Sequence, residues 1–429
     1  MPIRLIDSLG TTVELAVAFS DAGLLAAMLE FEVALARAQA RIGLIPAEAA
    51  RSIAQAASSA EFDSAALTSE ARGQATVVIP FVKAFTALVR SLDPVSAGYV
   101  HLGATSQDVA DTALVLILRR VQPVLARDHK RLCAALHRLS DEHSASVMLA
   151  RTLLQPAPPI TFGYKAAAWR GAIVRSWRDL SRAFGQALLL QFGGASGTLA
   201  AYADEALPLT DALGEELHLR VPSAPWHAHR DRLAAAVATC GIYTASLAKI
   251  VRDVSLLMQF EVGEAAEAGG GSSAMPHKRN PSQCSVALAA GVRMPGLVAG
   301  YLSGMVQEHE RGAGGMQAEW QAIAAVIELT GSALAAVLNA IEGLTVDPVR
   351  MRANIASTQG AVFSEKASML LAATHGRTAA QQMVAQALAD GHPPSLLTAE
   401  QLERLNVPED YLGACEVFRR RLLEDGEES

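Results

Sequence analysis

The 429-residue sequence predicts an all-α protein, and three observations lead there. Hydrophobic residues make up 51% of the chain while aromatics are only 5%, so the apolar content is mostly Ala, Leu and Val, the small and straight side chains of closely packed helices. Several stretches keep an apolar period near 3.6 residues for far longer than an average helix. No alternation of apolar and polar residues marks a strand, and no strand and helix alternation marks an α/β sheet.

The elements follow in order. Ser20-Asp21 cap a helix over residues 20–42, with Leu24, Leu25, Met28, Leu29, Val33, Leu35 and Ala36 at helical spacing and Gly43 as its stop. A longer run, 106–140, carries Leu114, Leu118, Val121, Leu125, Leu132, Leu136 and Leu139, with a kink expected at Pro123. Further helices are expected over 231–268 and 282–305, the latter containing Pro295. Thr345-Val346-Asp347-Pro348 marks a boundary before a smaller C-terminal domain, and a Gly-containing turn at 101–105 marks an earlier one. Three helical domains result: 1–104, a central long-helix bundle over 105–344, and 345–429. Apolar residues on more than one face of the long helices require cover from other helices or other subunits.

Thirty-six Lys and Arg against 43 Asp and Glu give a net charge of −7, which disfavours a nucleic-acid partner. Cys133, Cys240, Cys284 and Cys415 lie far apart with no CxxC pair, the pattern of reduced cytosolic thiols rather than of disulfides or structural zinc. The start MPIRLIDSLG has no apolar leader, and charge breaks the later apolar stretches, so a soluble cytoplasmic chain without membrane contact is expected. His227 and His229 lack a nearby carboxylate or Cys to complete a metal set, and Gly193-Gly194-Ala195-Ser196-Gly197 follows no strand, so neither metal nor nucleotide is expected. His309, in Glu308-His309-Glu310-Arg311, reads as part of a surface or inter-subunit ion network.

Chemistry concentrates in 269–281, Gly-Gly-Gly-Ser-Ser-Ala-Met-Pro-His-Lys-Arg-Asn-Pro, where glycines expose backbone N–H groups beside a cationic triplet. Such a loop suits a polyanionic small molecule. It matches GSSxMPxKxN at every fixed position, and here the sequence resembles the fumarase/aspartase superfamily. His101-Leu102-Gly103-Ala104-Thr105-Ser106-Gln107-Asp108 resembles the first conserved region of that superfamily, and Ala150-Arg151-Thr152-Leu153-Leu154-Gln155 the second. The resemblance implies a homotetramer with sites shared between subunits, no cofactor, and a general base or acid at Ser272. It implies substrate carboxylates held by Lys278, Asn280, Thr105 and Ser106, with Thr152 and Gln155 lining the pocket. Ser106 with Asp108 also reads as a helix N-cap, and a helix start attracts carboxylates in any case. Arg151 reads equally as a substrate contact or a buried ion, and His101 as a site contact or a satisfied turn residue.

Departures from the superfamily pattern narrow the reaction. The histidine of the second region is Leu153 here, its supporting glutamate is Ser285, and the His-Asp pair of adenylosuccinate lyases is Thr76-Val77. Losing an amine requires a proton donor, whereas a carboxylate attacks or leaves unprotonated. HLGATSQDVADTA, PWHAHRDR and DYLGA resemble the branch of cycloisomerases that act on 3-carboxy-cis,cis-muconate, a small polycarboxylate. An amine-releasing lyase such as adenylosuccinate lyase is the alternative, and an inactive crystallin-like structural protein is the alternative of another class.

Overall fold

A computed structural model describes residues 4–271, 274–275, 277–391, 397–405 and 407–425, with the side chains of Ala399, Leu402 and Glu403 left aside. It is predominantly helical, as the sequence predicts. Helix α1 (Asp21–Arg41) begins where Ser20 accepts a hydrogen bond from the Gly23 N–H at 3.1 Å, and it ends before Gly43, whose φ of +81° no further helical turn permits. The other long helices are α2 (Ser106–Glu142), with Pro123 inside it, α3 (Phe162–Ala187), α4 (Asp231–Leu257), α5 (Ser282–Ser303) and α6 (Gly315–Glu342).

Two expectations change. The helix expected to reach 268 stops at Leu257; Gly263 sits at φ +62°, and Ala265–Ala266 pair with Thr345–Val346 in a short antiparallel ladder. A hairpin was not expected either. Strands β1 (Val147–Thr152) and β2 (Gln155–Thr161) pair antiparallel, with a register shift between Leu149 and Ala150. The hairpin hides in the sequence because β2 carries three prolines, which remove backbone donors and disguise a two-stranded edge as loop.

Spatial contacts group the chain into two units, each drawn from three segments. The first comprises Met1–Asp128, Arg178–Ala245 and Ala289–Ala335. Within it α1 packs on Ala47–Ser58 and Ala206–Leu217, and Phe31, Phe192 and Tyr202 form a chain of ring contacts. The second comprises His129–Trp177, Ser246–Leu288 and Ala336–Ser429. Its C-terminal core joins Val147 and Leu149 of β1 to Ile355, Phe363, Leu371, Val384 and Leu405. The five longest helices each contribute residues to both groups, so the grouping follows proximity rather than chain order.

The expectation that charge interrupts every apolar stretch fails for three helices. By length and composition alone α4, α5 and α6 are each long and apolar enough to cross a membrane. One charge such as Glu328 does not end a stretch of this kind. Only 22% of the apolar window of α5 is buried within the chain, and Val292 on it is 78% exposed.

Candidate active site

The first group of candidate residues sits at the start of α2. Thr105 occupies the N-cap, and Asp108, in the third helical position, accepts the Thr105 N–H at 3.0 Å. The cap therefore lies one residue earlier than Ser106, and it uses the acid rather than the hydroxyl. Asp108 is fully buried and also accepts the N–H groups of Gly193 and Gly194, each at 2.9 Å, while His227 Nε2 lies 2.7 Å from its Oδ1. The Gly193-Gly194 turn thus holds a carboxylate of the chain itself. One turn on, Asp111 receives both NH groups of Arg230, at 2.7 and 2.8 Å, and Arg230 also reaches Glu319 at 2.8 Å. All three are buried. Burial would lower the Arg230 pKa, but Asp111 and Glu319 outweigh it and hold it raised; Glu319 is itself raised by burial against the pull of Arg230.

These ties leave the two hydroxyls free of capping duty. Arg311 donates to Thr105 Oγ1 at 2.7 Å, to Ser106 Oγ at 3.4 Å and to Gln107 Oε1 at 3.2 Å. A hydroxyl that accepts from a guanidinium must aim its own hydrogen elsewhere, so both oxygens are set up as donors beside the positive end of α2. Of the segment read as a surface or inter-subunit ion network around His309, Arg311 is thus tied to the α2 start, while His309 is exposed. His101 stands in the turn just before, its Nδ1 2.6 Å from Glu32 Oε1.

The second group lies on the hairpin. Arg151 donates both NH groups to the wholly buried Glu264, at 2.8 and 2.7 Å, and Asn354 adds a third donor at 2.8 Å. Arg151 is therefore paired within the chain while its side chain stays 24% exposed. Thr152 and Gln155 face each other as the last paired residues, both exposed, and Leu153 and Leu154 form the two-residue turn at φ +50° and +66°. Leu153, which replaces the expected histidine, is 97% exposed.

The third group is the glycine loop. Gly270, at φ +72°, receives the Asn280 N–H on its carbonyl at 2.6 Å; a Cβ there would lie 1.8 Å from the Asn280 oxygen, so only glycine fits. Gly271 and Arg279 form a bridge just inside. Below it, buried Glu267 accepts the N–H groups of Gln283 and Cys284, at 2.8 and 3.1 Å, capping α5. Lys278 is exposed and Asn280 half-buried at the closed base of this loop. Ser272 lies outside the described residues. Ser285 and Thr76 are spent locally: Ser285 donates to the Pro281 carbonyl and Thr76 accepts from the Val78 N–H. Among the described residues no group of three or more His, Cys, Asp or Glu is placed to hold a metal ion.

Sequence reasoning missed Arg311, Arg230, Glu319, Glu264 and Glu32. Only Glu32 in LEFEVAL and Glu319 in QAEWQAIAAV carried a signal, as charges set inside apolar runs; Arg230 and Arg311 lie in polar segments that carried none.

Residues 10–296 match the lyase family Lyase_1. The chain belongs to that family. It is 41% identical to a 3-carboxy-cis,cis-muconate cycloisomerase of Pseudomonas aeruginosa, over 98% of this chain and 96% of that one. It is also 41% identical to a nitrosuccinate lyase of Streptomyces davaonensis, over 95% and 91%. The crystal structure of the 3-carboxy-cis,cis-muconate lactonizing enzyme from Pseudomonas putida superposes with a TM-score of 0.93 at 39% identity, covering 99% of each chain.

Proposed function

We propose that this lyase-family chain is an intramolecular lyase that cyclises 3-carboxy-cis,cis-muconate to 4-carboxymuconolactone. The observation that carries the reading is Leu153. The site's second region presents an apolar side chain where an amine-releasing lyase needs a proton donor, in a chain whose relatives at 41% identity include a cycloisomerase. One substrate carboxylate adds to the conjugated double bond, and the charge collects on another carboxylate as an aci-carboxylate. The Thr105 and Ser106 hydroxyls, oriented by Arg311, suit that charge as donors, and the resemblance assigns Lys278 and Asn280 of the glycine loop the same task. Ser272 then delivers a proton to the α-carbon. Thr152 and Gln155 border the substrate from the hairpin.

Leu153 excludes an amine as leaving group but not nitrite, which also departs as a weakly basic anion. The match to nitrosuccinate lyase makes that the second reading. An absorbance assay of the purified chain against 3-carboxy-cis,cis-muconate, nitrosuccinate and adenylosuccinate separates them. Lactonisation with no adenylosuccinate cleavage is expected, as is a loss of several orders of magnitude in kcat for Ser272→Ala with little change in KM. Faster turnover of nitrosuccinate would replace the cycloisomerase reading, and adenylosuccinate cleavage would remove the argument from Leu153.

The assembly reading is a homotetramer. The exposed apolar face of α5 is too extensive for a monomer in water, and copies of the chain cover it better than lipid, because Arg293 interrupts the same surface. Light scattering at micromolar concentration without detergent should return four times the 45.1 kDa chain mass. The four free cysteines favour a cytoplasmic location. The net charge of −7 speaks against nucleic acid.

A further inference from the structure

Glu32 and His101 form a pair that the reaction described above leaves without a task. Glu32, on α1, is 2% exposed; its Oε1 meets His101 Nδ1 at 2.6 Å, and its Oε2 has no hydrogen-bond partner among the described residues. A buried carboxylate with one partner is costly when that partner is neutral and tolerable when it is a cation. The electrostatics act in that direction. Burial alone would lower the His101 pKa, but the hydrogen bond and charge of Glu32, joined by Asp108 at the start of α2, raise it above the ordinary value. The remaining titratable neighbour, Tyr202 from the short helix Ala200–Glu205, is held as a neutral phenol by burial and by the same two acids.

The turn carrying the ring is fixed in place. The Leu102 carbonyl accepts from Gln39 Nε2 at 2.9 Å and from the Tyr202 hydroxyl. A Cβ on Gly103, at φ +75°, would lie 2.4 Å from the Tyr202 ring, and His101 itself is held at φ +58°, a conformation rare for a residue with a side chain. With Nδ1 tied to Glu32, Nε2 is the only ring nitrogen left, and it has no partner among the described residues although the side chain is 18% exposed.

We propose that Glu32 is a positioning residue: it fixes the Nδ1–H of His101 and turns a protonated Nε2–H outward as a donor to a substrate carboxylate, beside the Thr105–Ser106 helix start. The identity of that carboxylate rests on the cycloisomerase reading, whereas the pair itself does not. Since lactonisation asks no proton of His101, the imidazolium acts in binding, and its loss appears in KM rather than kcat. The protonated form is complete below the His101 midpoint and disappears as pH rises through it, so affinity falls on the alkaline side.

Glu32→Gln keeps the acceptor at Nδ1 and removes the charge. NMR titration of the substrate-free protein, with the His101 signal assigned from His101→Gln, should place the wild-type midpoint above 6.5 and the Glu32→Gln midpoint at least about one unit lower. At a pH midway between the two midpoints Glu32→Gln should raise KM roughly threefold, approaching about tenfold above both, with kcat within about twofold, and should move the alkaline limb of kcat/KM to lower pH. Propane-1,2,3-tricarboxylate, titrated calorimetrically, should bind less tightly to both variants. A wild-type midpoint at or below 6.5 overturns the proposal even if Glu32→Gln does not fold. So does a midpoint unmoved by Glu32→Gln, or tricarboxylate binding unchanged in His101→Gln. A shifted midpoint and weakened tricarboxylate binding in a protein inactive on 3-carboxy-cis,cis-muconate would retire the cycloisomerase reading and keep the pair.

Discussion

The start of α2 and the tip of the β1–β2 hairpin both carry candidate site residues, yet they are built on opposite plans. At the α2 start the buried charges Asp108 and Asp111 are fully engaged. Asp108 takes three backbone N–H groups and His227, Asp111 takes both arms of Arg230, and Arg311 spans two hydroxyls. Such a network is rigid before any ligand arrives, because each buried charge would be exposed to loss by the movement of any other. At the hairpin the network stops one residue short of the tip. Arg151 is tied to Glu264, but beyond it Thr152, Leu153, Leu154 and Gln155 are all exposed, and two leucines occupy a left-handed turn that favours Asn and Gly. One region is closed by partners from its own chain, and the other leaves its side chains open to the surface.

The sharpest way to test the first plan is to remove its central cation. Arg230→Met leaves Asp111 and Glu319 buried without their shared partner, a change that costs about 3–5 kcal/mol when one member of a buried ion pair is removed. Thermal or urea unfolding should register a loss of that size. A loss below about 1 kcal/mol would mean that the α2 start is not held by charge. The corresponding change in the second unit, Arg151→Met, should be smaller. Glu264 keeps the Asn354 hydrogen bond and Arg151 is 24% exposed at its side chain, so about 1–3 kcal/mol, the cost of a buried group left partly unpaired, is expected. An equal or greater loss than for Arg230→Met would erase the distinction between the two regions.

Legibility in the sequence divides along the same line. The helix starts at Ser20 and Ser106 were readable because capping residues and apolar period act locally, within a few residues of one another. The hairpin was not, since Pro156, Pro158 and Pro159 speak locally against a strand that only pairing with β1 makes worthwhile. The superfamily motifs drew attention to Thr105, Ser106 and Arg151, but the partners of these residues come from distant segments. Arg311 reaches Thr105 across some two hundred positions, and Glu264 reaches Arg151 across more than a hundred. No local pattern encodes such pairings. A charge embedded in an apolar run signals that a partner exists without saying where.

The smallest expected effect bears on what the hairpin tip is for. Leucine in the left-handed region carries steric strain of roughly 1–2 kcal/mol per residue, and both turn residues lie there. Leu153→Asn with Leu154→Gly replaces them with the pair that this turn geometry prefers, so the isolated chain should gain about 1 kcal/mol, part of the relief being offset by the looser unfolded chain that glycine brings. If the leucines are merely tolerated, the double variant melts higher and keeps its kcat, KM and oligomeric state. If they are retained because another copy of the chain covers them, the variant gains less in melting temperature than the turn relief supplies, and it dissociates at higher protein concentration or turns over more slowly. The second outcome is expected, because 97% exposure of an apolar side chain on a strained turn combines two costs that neither the core nor the local hydrogen bonding of this unit returns.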